Sequence, residues 1–322
     1  MVSLTPPSDA MTAAGPHLDI SILLVSWNTC ALTGRCLDTL PQSVDPRTRY
    51  ETVVVDNGST DGSLAMLRAR DDVLLVENAE NLGYAKAVNQ AYARARGRMI
   101  LLLNSDIEFK PGSLGALLRF LEQHPEVTGV GPMYLNPDGS PQQHHYRLPT
   151  FGMLVAGQSA LLERLPWLSQ STRRHRMEDA DFGHAQPVEQ PSASVLLLRR
   201  EALPDDHLLD ERFPIFFNDV ELAHRLGQAG RVLWMTPDSL VIHAHGASTR
   251  QLGRGLVRHH LSAQVLYVAL TQSKARLLAF RAIVLAHELA ALLLRRPDAL
   301  SPADLLPALR GEPGPLGRAP DG

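Results

Sequence analysis

The sequence contains no uninterrupted run of about 18 apolar residues, the length that a membrane-spanning helix needs. Its first segment, MVSLTPPSDAMTAAGPHL, also lacks the basic start and continuous apolar stretch of a secretory signal. We therefore expect a cytoplasmic protein in which residues 1–17 form a disordered lead.

Neither a basic excess nor a cysteine framework is present. The formal net charge is −3, which argues against a nucleic-acid partner because phosphate-binding surfaces are usually strongly basic. The chain has only two cysteines, Cys30 and Cys36, with no second pair. This count fits neither a zinc site nor a disulfide scaffold, and it favours buried thiols in a reducing compartment.

What the sequence does contain is enough apolar residues for a large core, 44% of 322. Short aliphatic runs alternate with segments of helical periodicity, which predicts an α/β fold with a mostly parallel sheet covered by helices on both faces. Pro111 is predicted in the first turn of its helix, where a missing amide costs little. The runs predicted as the first four strands are ISILLVSW, YETVVVDN, VLLVEN and RMILLLNSD.

Each of these four runs ends in polar residues. Ligands of parallel sheets bind at the carboxyl ends of the strands, so four polar ends on one rim predict a binding site. A single polar residue at a strand end is more often a turn former. The four ends are Ser26-Trp27-Asn28, Asp56-Asn57-Gly58-Ser59-Thr60-Asp61, Glu77-Asn78 and Asn104-Ser105-Asp106.

Two aspartates at these ends have both a functional and a structural interpretation. Asp56 can accept hydrogen bonds from a ligand, or it can close its own loop as an Asx turn. Asp106 suits Mg²⁺ or Mn²⁺, which need one or two carboxylates when a diphosphate supplies further ligands. Alternatively, Asp106 caps a helix.

The second half of the sequence is less regular. Residues 133–190 are predicted to form loops and short elements over the site. The run SVLLLRR is predicted as a buried strand, and the helix after Asp219 is expected to end at Gly230. One or two further strands are expected within RVLWMTPDSLVIHAHG.

Taken in order, these segments resemble family 2 of the glycosyltransferases, which has the GT-A fold. Within it they resemble the rhamnosyltransferase-like members that build bacterial surface polysaccharides. The resemblance covers residues 18–250, interpreted as the catalytic domain. It rests on SILLVSWN, VVVDNGSTDGS, ENLGYAKAVNQA, LLLNSDIEF, and FPIFFNDVELAHRLGQAG followed by VIHAHGAST.

The resemblance implies that Asp56 holds the nucleobase or ribose of the donor, and that Gly83 lets the backbone approach the ligand closely. An ordinary loop-to-helix junction is the alternative for the segment around Gly83. The full set of residues expected to bind the nucleotide sugar is Ser26, Asn28, Asp56, Asn57, Asn81, Gly83, Asn89, Asn104 and Ser105.

The resemblance also implies that Asp106, at the last position of an Asp-x-Asp-like triplet, binds the metal, while Asn104 replaces the first aspartate. His243 and His245 match a histidine motif near the metal and phosphates. They alternate on a strand and so share one face, although a core or merely hydrogen-bonding role is the alternative.

Asp219 is implied to be the catalytic base that takes the proton of the acceptor hydroxyl. The family's usual Glu-Asp pair is Asn218-Asp219 here, which removes one negative neighbour. A helix-capping aspartate is the alternative. Asn218 and Glu221 are interpreted as acceptor-side residues.

The predicted function is an inverting, metal-dependent transfer of a sugar from a nucleotide diphosphate, with dTDP-rhamnose as one possible donor. The acceptor would be a polysaccharide or a lipid-linked glycan. Alternatives are another sugar donor and a non-catalytic nucleotide-sugar-binding homologue. A nucleotidyltransferase should carry a glycine-rich basic loop, whereas SWNTCALTGRCL offers only Arg35.

Residues 251–310 are predicted to form a helical extension. Between Leu256 and Arg296, basic residues are interleaved with Leu and Ala at helical spacing. This pattern suits a helix in the interface of the inner membrane face, or helices packed on the catalytic domain or in a homodimer. Residues 311–322 are expected to be disordered.

Overall fold

The computed structural model describes residues 18–244, 255–296 and 299–316 of the chain. These residues form an α/β fold with helices at the C-terminal end. The elements, in chain order, are β1 (Ile20–Ser26), α1 (Cys30–Ser43), β2 (Tyr50–Asn57), α2 (Ser63–Arg68), β3 (Leu74–Asn78), α3 (Tyr84–Tyr92), β4 (Met99–Asn104), β5 (Ile107–Phe109), α4 (Ser113–Gln123), β6 (Val127–Leu135), β7 (Pro141–Gln142), β8 (His145–Tyr146), α5 (Phe151–Ala156), α6 (Ala160–Glu163), α7 (Pro166–His175), β9 (Gln186–Pro187), β10 (Gln190–Pro191), β11 (Val195–Arg199), α8 (Asn218–Gln228), β12 (Val232–His243), α9 (Gly255–Thr271), α10 (Lys274–Leu293) and α11 (Pro302–Arg310).

The main sheet has the strand order β3-β2-β1-β4-β11-β6-β12-β5. Strands β3, β2, β1 and β4 run parallel to their neighbours, and so do β6 and β12. Strand β11 lies antiparallel between β4 and β6, and β5 is antiparallel to β12. The four parallel strands direct their carboxyl ends to one rim, where ligands of such sheets bind.

The position of β1 inside the sheet explains why residues 22–25 are all apolar. Ile22 and Leu24 belong to one buried cluster, whereas the alternating Leu23 and Val25 belong to the cluster on the opposite face. Because successive side chains of a strand point to opposite faces, a strand that is covered on both sides buries apolar residues at successive positions.

Three local expectations can be compared with the structure. Pro111 precedes α4 instead of lying in its first turn, since the helix starts at Ser113 after Gly112 in a left-handed conformation. Gly230 follows the end of α8 with φ of +70°, as a helix-terminating glycine should. Strand β12 is a single strand with a register shift between Thr236 and Leu240.

The C-terminal helices pack on the rest of the chain. Buried residues of α9 and α10, such as Val265 and Phe280, form a cluster with Leu154 of α5, Val220 of α8 and Phe213. Part of the extension therefore packs on the α/β region, in accord with one of the two interpretations of its sequence.

Residues 311–316 differ from the disorder expected of them. The carbonyl of Glu312 accepts a hydrogen bond from Ser262 Oγ (2.8 Å), and that of Pro313 accepts one from Arg258 (3.3 Å). The segment therefore lies along α9. The predicted lead at 1–17 and the remainder of the tail at 317–322 lie outside the described residues.

Within the described ranges, no helix has both the length and the apolar character needed to cross a bilayer. Helix α10 nevertheless exposes a row of apolar side chains. They are Leu278, Leu285, Leu289 and Leu293.

Candidate functional site

A cavity of about 440 Å³ opens at the carboxyl ends of β1, β2 and β4. Asp106 and Asp219, which are 113 positions apart in the chain, both line it. Of the other predicted site residues, Asn57, Asn81, Asn104, Ser105, Asn218 and His243 line it too. The lining also includes Val25, Trp27, Tyr84, His144, Ser192, Ala193, Ser194, Ile215, Phe216, Phe217 and Leu256.

Asp106 and His243 meet on one wall of this cavity. Asp106 follows β4, and His243 is the last residue of β12, whose pairing with β5 brings the two together. His243 Nε2 lies 3.4 Å from Asp106 Oδ1, and both side chains are buried except where they face the cavity. The partner histidine of the motif, His245, lies outside the described residues.

Two side chains behind His243 were not predicted as site residues. His243 Nδ1 is 3.0 Å from Gln142 Oε1 and 3.0 Å from His144 Nε2. Both come from the QQHHYR stretch that the sequence analysis assigned to loops. The adjacent histidines were a usable signal, but only the tertiary contact with β12 gives it meaning.

Asp219 lies at the start of α8, where it gains from the favourable end of the helix dipole. Phe217, the residue before the helix, has φ of +64°, an uncommon conformation for a non-glycine residue. This turn places Asn218 and Asp219 at the cavity. Asp219 Oδ1 accepts a hydrogen bond from the Val220 amide (2.9 Å).

Burial raises the pKa of Asp219, although hydrogen bonds from Val220, Gln190 and Ala193 act in the opposite direction. A carboxylate with a raised pKa is a stronger base than an exposed aspartate, which suits proton abstraction.

The two predicted acceptor-side residues have different positions. Asn218 lines the cavity, but its Nδ2 donates to the Ile215 carbonyl (2.7 Å) and so holds the loop before α8. Glu221 is not among the lining residues. It forms a two-point ion pair with Arg225 one helical turn later (3.1 and 3.2 Å), and its contact with the acceptor stays a prediction.

Asp56 is fully buried at the end of β2. Its Oδ2 accepts a hydrogen bond from the Ser59 amide (3.0 Å), which is the Asx turn that the sequence allowed. Its Oδ1 is buried without a hydrogen-bond partner. Since buried polar atoms are rarely left unsatisfied, this oxygen fits a ligand donor as well. Asp56 is not among the cavity-lining residues, so the structure shows the Asx turn and the contact with the donor stays a prediction.

Ser26 and Asn28 shape the loop after β1. The hydroxyl of Ser26 pairs with Thr33 (3.0 Å) inside the protein. Asn28 accepts a hydrogen bond from the Thr60 amide (2.7 Å), and its own amide donates to Ser59 (3.0 Å). These bonds tie the β1 loop to the β2 loop, while the neighbouring Val25 and Trp27 form the cavity wall.

A network of amides follows β2 and β3. Asn57 Nδ2 donates to Asn81 Oδ1 (2.8 Å), and Asn81 Oδ1 also accepts from the Gly83 amide (2.9 Å). Gly83 has φ of +87°, and a Cβ there would lie 2.9 Å from Pro214 Cβ. Close packing against Pro214 therefore requires a glycine here, and close approach of its backbone to the ligand stays a prediction.

Asn89, predicted to lie beside the nucleotide, has protein partners in the structure, and its contact with the nucleotide stays a prediction. Its amide bridges to the chain before α8, donating to the Leu209 carbonyl (2.9 Å) and accepting from the Leu209 amide (2.9 Å). It is not among the cavity-lining residues. A buried asparagine can serve as a backbone clamp, and sequence alone does not separate that role from ligand binding.

The remaining predicted donor-side residues lie at the cavity floor. Asn104 Nδ2 donates to Ser194 Oγ (3.0 Å), and Ser105 Oγ pairs with Thr29 Oγ1 (3.1 Å). Both side chains already have protein partners, so their positions are fixed before any ligand enters.

Tyr84 was not predicted as a site residue. It lines the cavity, and its hydroxyl is buried without a hydrogen-bond partner. Burial, together with the negative charges of Asp219 and Asp106, raises the pKa of Tyr84. The hydroxyl is therefore a protonated donor in the cavity that the two aspartates also line.

The donor set for a metal ion is small. Within the described part of the chain, no group of three or more His, Cys, Asp or Glu side chains is arranged to hold a metal. Asp106 and His243 supply one carboxylate oxygen and one imidazole nitrogen. Such a set fits Mg²⁺ or Mn²⁺ only if substrate phosphates and water complete the coordination.

Comparison with known proteins settles the family. The family model described as "Glycosyl transferase family 2" matches residues 21–184. The chain belongs to glycosyl transferase family 2. It is 30% identical over 283 residues to the N-acetylglucosaminyl-diphospho-decaprenol L-rhamnosyltransferase of Mycobacterium tuberculosis, which covers 82% of this chain and 84% of that protein. It is 32% identical over 223 residues to the O-antigen biosynthesis protein RfbC of Myxococcus xanthus, covering 66% of this chain and 16% of that protein.

Solved structures agree on the fold. A mannosyltransferase from Pyrobaculum calidifontis, in complex with GDP-Man and Mn²⁺, superposes with a TM-score of 0.52 at 18% identity, covering 92% of this chain and 80% of that one. GalNAc-T7 with UDP, GalNAc and Mn²⁺ gives a TM-score of 0.53 at 15% identity, covering 77% and 47%. The predicted family, α/β fold and glycosyltransferase activity are thereby confirmed.

Proposed function

We propose that this family 2 glycosyltransferase transfers a sugar, with inversion and with the help of a divalent metal, from a nucleotide diphosphate to a hydroxyl of a glycan or lipid-linked acceptor. One observation carries the proposal: Asp106 and Asp219 line the same cavity. The first is available to a cation and the second to an attacking alcohol.

Asp219 acts as the general base. The acceptor oxygen forms a bond to the anomeric carbon of the donor while the bond from that carbon to the phosphate oxygen breaks. The acceptor proton passes to Asp219 Oδ, and the nucleotide diphosphate leaves. The raised pKa of Asp219 supports this role because a stronger base takes the proton more readily.

Asp106 and His243 would hold the metal. His243 Nδ1 lies 3.0 Å from Gln142 Oε1, and its Nε2 lies 3.4 Å from Asp106 Oδ1. Metal binding by this pair would use the tautomer with the proton on Nδ1, which Gln142 Oε1 can accept. When bound, the metal would supply charge stabilisation for the departing diphosphate.

The nucleotide is held at the ends of β1 and β2. Asp56 Oδ1, buried without a partner, would accept a hydrogen bond from the base or ribose. The amides of Asn57 and Asn81 line the cavity and are already fixed by their mutual hydrogen bond. Preorganised groups of this kind hold the donor in line for attack.

Rhamnose is the proposed sugar, with dTDP-rhamnose as the donor, on the strength of the mycobacterial relative named as a rhamnosyltransferase. Inversion of a β-linked donor of this type gives an α-linked product. A transferase that uses another nucleotide sugar remains the second candidate, since none of the contacts above reads the sugar itself.

Helix α10 is proposed to lie on an anionic membrane surface, where a lipid-linked acceptor would be found. Its exposed leucines are flanked by Lys274 and Arg276 at the start and by Arg295 and Arg296 after the end, all exposed. An apolar helix face with basic ends binds anionic interfaces through both burial and charge. Flotation with anionic and neutral liposomes tests this, and a concentration-dependent dimer in light scattering would favour the homodimer instead.

The enzymatic proposal is tested with a panel of nucleotide sugars, including dTDP-rhamnose, assayed for metal-dependent release of nucleotide diphosphate with and without acceptor. Thermal stabilisation by each donor provides a second readout, because a ligand that binds only the folded state raises its stability. Absence of both release and stabilisation with every donor, in Mg²⁺ and in Mn²⁺, would contradict the proposal.

A further inference from the structure

A second cavity, of about 350 Å³, lies between the C-terminal helices and the catalytic region. We call it the acceptor-side cavity. Its size falls within the range of about 300–1,000 Å³ that is typical of small-molecule pockets. It is lined by Gly157, Gln158, Phe216, Leu256, Val257, His260, Leu261, Gln264, His287, Glu288, Ala291 and Ala299.

The acceptor-side cavity adjoins the catalytic cavity. Phe216 and Leu256 line both of them. Phe216 belongs to the turn that presents Asp219, and its ring packs edge-on against His260 (5.3 Å between centroids). A molecule held in the second cavity would therefore extend from the side of the catalytic cavity where the proposed base lies.

Several polar side chains of this cavity are fixed in place. Gln264 and Glu288 are each only 6% exposed. Gln264 Oε1 accepts a hydrogen bond from Gln158 (2.9 Å), and Glu288 Oε2 accepts one from the Leu300 amide (3.0 Å). Polar groups that are positioned in this way before a ligand enters supply direction and specificity.

The charge of the lining indicates the class of ligand. The lining has one acidic side chain, Glu288, whose Oε1 lies 3.3 Å from His287 Nδ1, and no Lys or Arg lines the cavity among the residues that the structure describes. Burial lowers the pKa of His260, so this imidazole is neutral at neutral pH. An anionic group such as a diphosphate would meet the acidic Glu288 with no Lys or Arg among these lining residues to offset it, which is unfavourable in a partly buried site.

An uncharged sugar fits the same lining. Its hydroxyls match the carboxylate of Glu288, the amides of Gln158 and Gln264 and the imidazoles, while its C–H faces match Phe216, Val257 and Leu261. A mixture of apolar walls and a few convergent polar groups is what a small polar ligand requires.

We propose that the acceptor-side cavity binds an uncharged sugar residue of the acceptor, next to the sugar that receives the transferred one. This inference rests on the proposed function and makes it more specific: the preferred acceptor carries at least two sugars before any diphosphate. It predicts that residues of α9 and α10 determine the preference for acceptor length.

The test compares uncharged p-nitrophenyl monosaccharides and disaccharides as acceptors, with a prenyl-diphosphate monosaccharide as the third arm. For the wild type, we expect at least one disaccharide to give a kcat/KM about tenfold or more above that of its monosaccharide. Ala291→Leu, which fills the cavity, should remove this gain and leave acceptor-independent donor hydrolysis unchanged. Ala286→Leu is the matched control, because it makes the same change at an exposed position of α10 that does not line the cavity.

Glu288→Gln provides a second variant that preserves shape. It should raise the KM of the disaccharide with little change in kcat, whereas a merely structural role would lower the melting temperature and affect both acceptors alike. The inference is overturned if no disaccharide exceeds its monosaccharide. It is also overturned if the prenyl-diphosphate monosaccharide is the best acceptor and Ala291→Leu leaves it unaffected.

Failure of the proposed function has a different outcome. If no donor is turned over, binding of the same disaccharides to the wild type and to Ala291→Leu is measured by saturation-transfer NMR. Binding that only the wild type shows supports the sugar site independently of catalysis, and equal binding or no binding overturns it.

Discussion

The rim of strand ends that lines the first cavity and the C-terminal helices differ in how their side chains are positioned. At the rim, strand ends and a strained turn fix side chains such as Asp106 and Asp219. Each of them must keep its position to perform its proposed role. In α10, the exposed row of leucines is defined by spacing and composition, and no single residue is indispensable. Substitutions at the rim should therefore change the rate of transfer strongly, and substitutions on α10 should change membrane binding weakly.

The largest effect is expected from Asp219→Asn. The variant should fold and bind donor, but transfer should fall about 10²–10⁴-fold because the general base is lost. Initial rates of transfer, with donor affinity measured in parallel, check this. Asp210→Asn is a suitable control, since Asp210 pairs with Arg212 (2.6 Å) away from the cavity. A fully active Asp219→Asn would show that Asp219 is not the general base.

The difference in stability between the wild type and Asp219→Asn should depend on pH. Burial raises the pKa of Asp219 in the folded state, so the ionised form costs stability at neutral pH. Asp219→Asn should therefore be at least as stable as the wild type at pH 7, and this difference should vanish below the unfolded-state pKa of about 3.9. Wild-type transfer should fall as the pH drops through the raised pKa. Denaturant titrations and rate profiles against pH measure both, and a variant less stable only at neutral pH would contradict the sign.

A smaller effect is expected from His144→Ala. His144 supports His243 from behind, and loss of such a support typically weakens metal affinity about 10–100-fold. Mn²⁺ affinity, measured by electron paramagnetic resonance with nucleotide diphosphate present, is the readout. His184→Ala is the control, because His184 is exposed and pairs with Asp181 (3.0 Å). Unchanged Mn²⁺ affinity would show that His144 does not contribute to metal binding.

Tyr84→Phe should have a modest effect, lowering kcat several-fold, as expected for loss of one hydrogen bond of about 1 kcal/mol. The hydroxyl is buried without a protein partner, so its removal should leave the melting temperature unchanged or slightly raised. Steady-state kinetics and thermal melts check both. A drop in stability without a change in kcat would mean that the hydroxyl has a structural role.

The smallest effect is expected on α10. Replacing Leu285 and Leu289 by Gln should reduce flotation with anionic liposomes while donor hydrolysis stays at the wild-type rate. Leu161→Gln, with its exposed side chain on α6, is the control for nonspecific loss of surface apolarity. A fall in the rate of donor hydrolysis as large as that of a rim variant would show that α10 also contributes to the reaction.

Prediction from sequence succeeded where the local pattern has one physical solution. The continuous apolar run of β1 is compatible only with a strand covered on both faces, and the polar residues after β4 mark its carboxyl end. Sequence did not show the structural roles of residues that can serve two purposes. Asn89 clamps Leu209, Gly83 packs on Pro214, and Glu221 pairs with Arg225, although each stands in a segment that resembles a ligand-binding motif.

The sequence by itself determined the family and the alternating α/β order, and it singled out Asp106 and Asp219 as candidates, because strand and helix periodicity and short motifs are local properties of the chain. Only the tertiary structure decided that His144 stands behind His243, that Tyr84 lines the same cavity as the two aspartates and that a second cavity adjoins the first. His144 and His243 are 99 positions apart, and no local pattern encodes a contact of that kind.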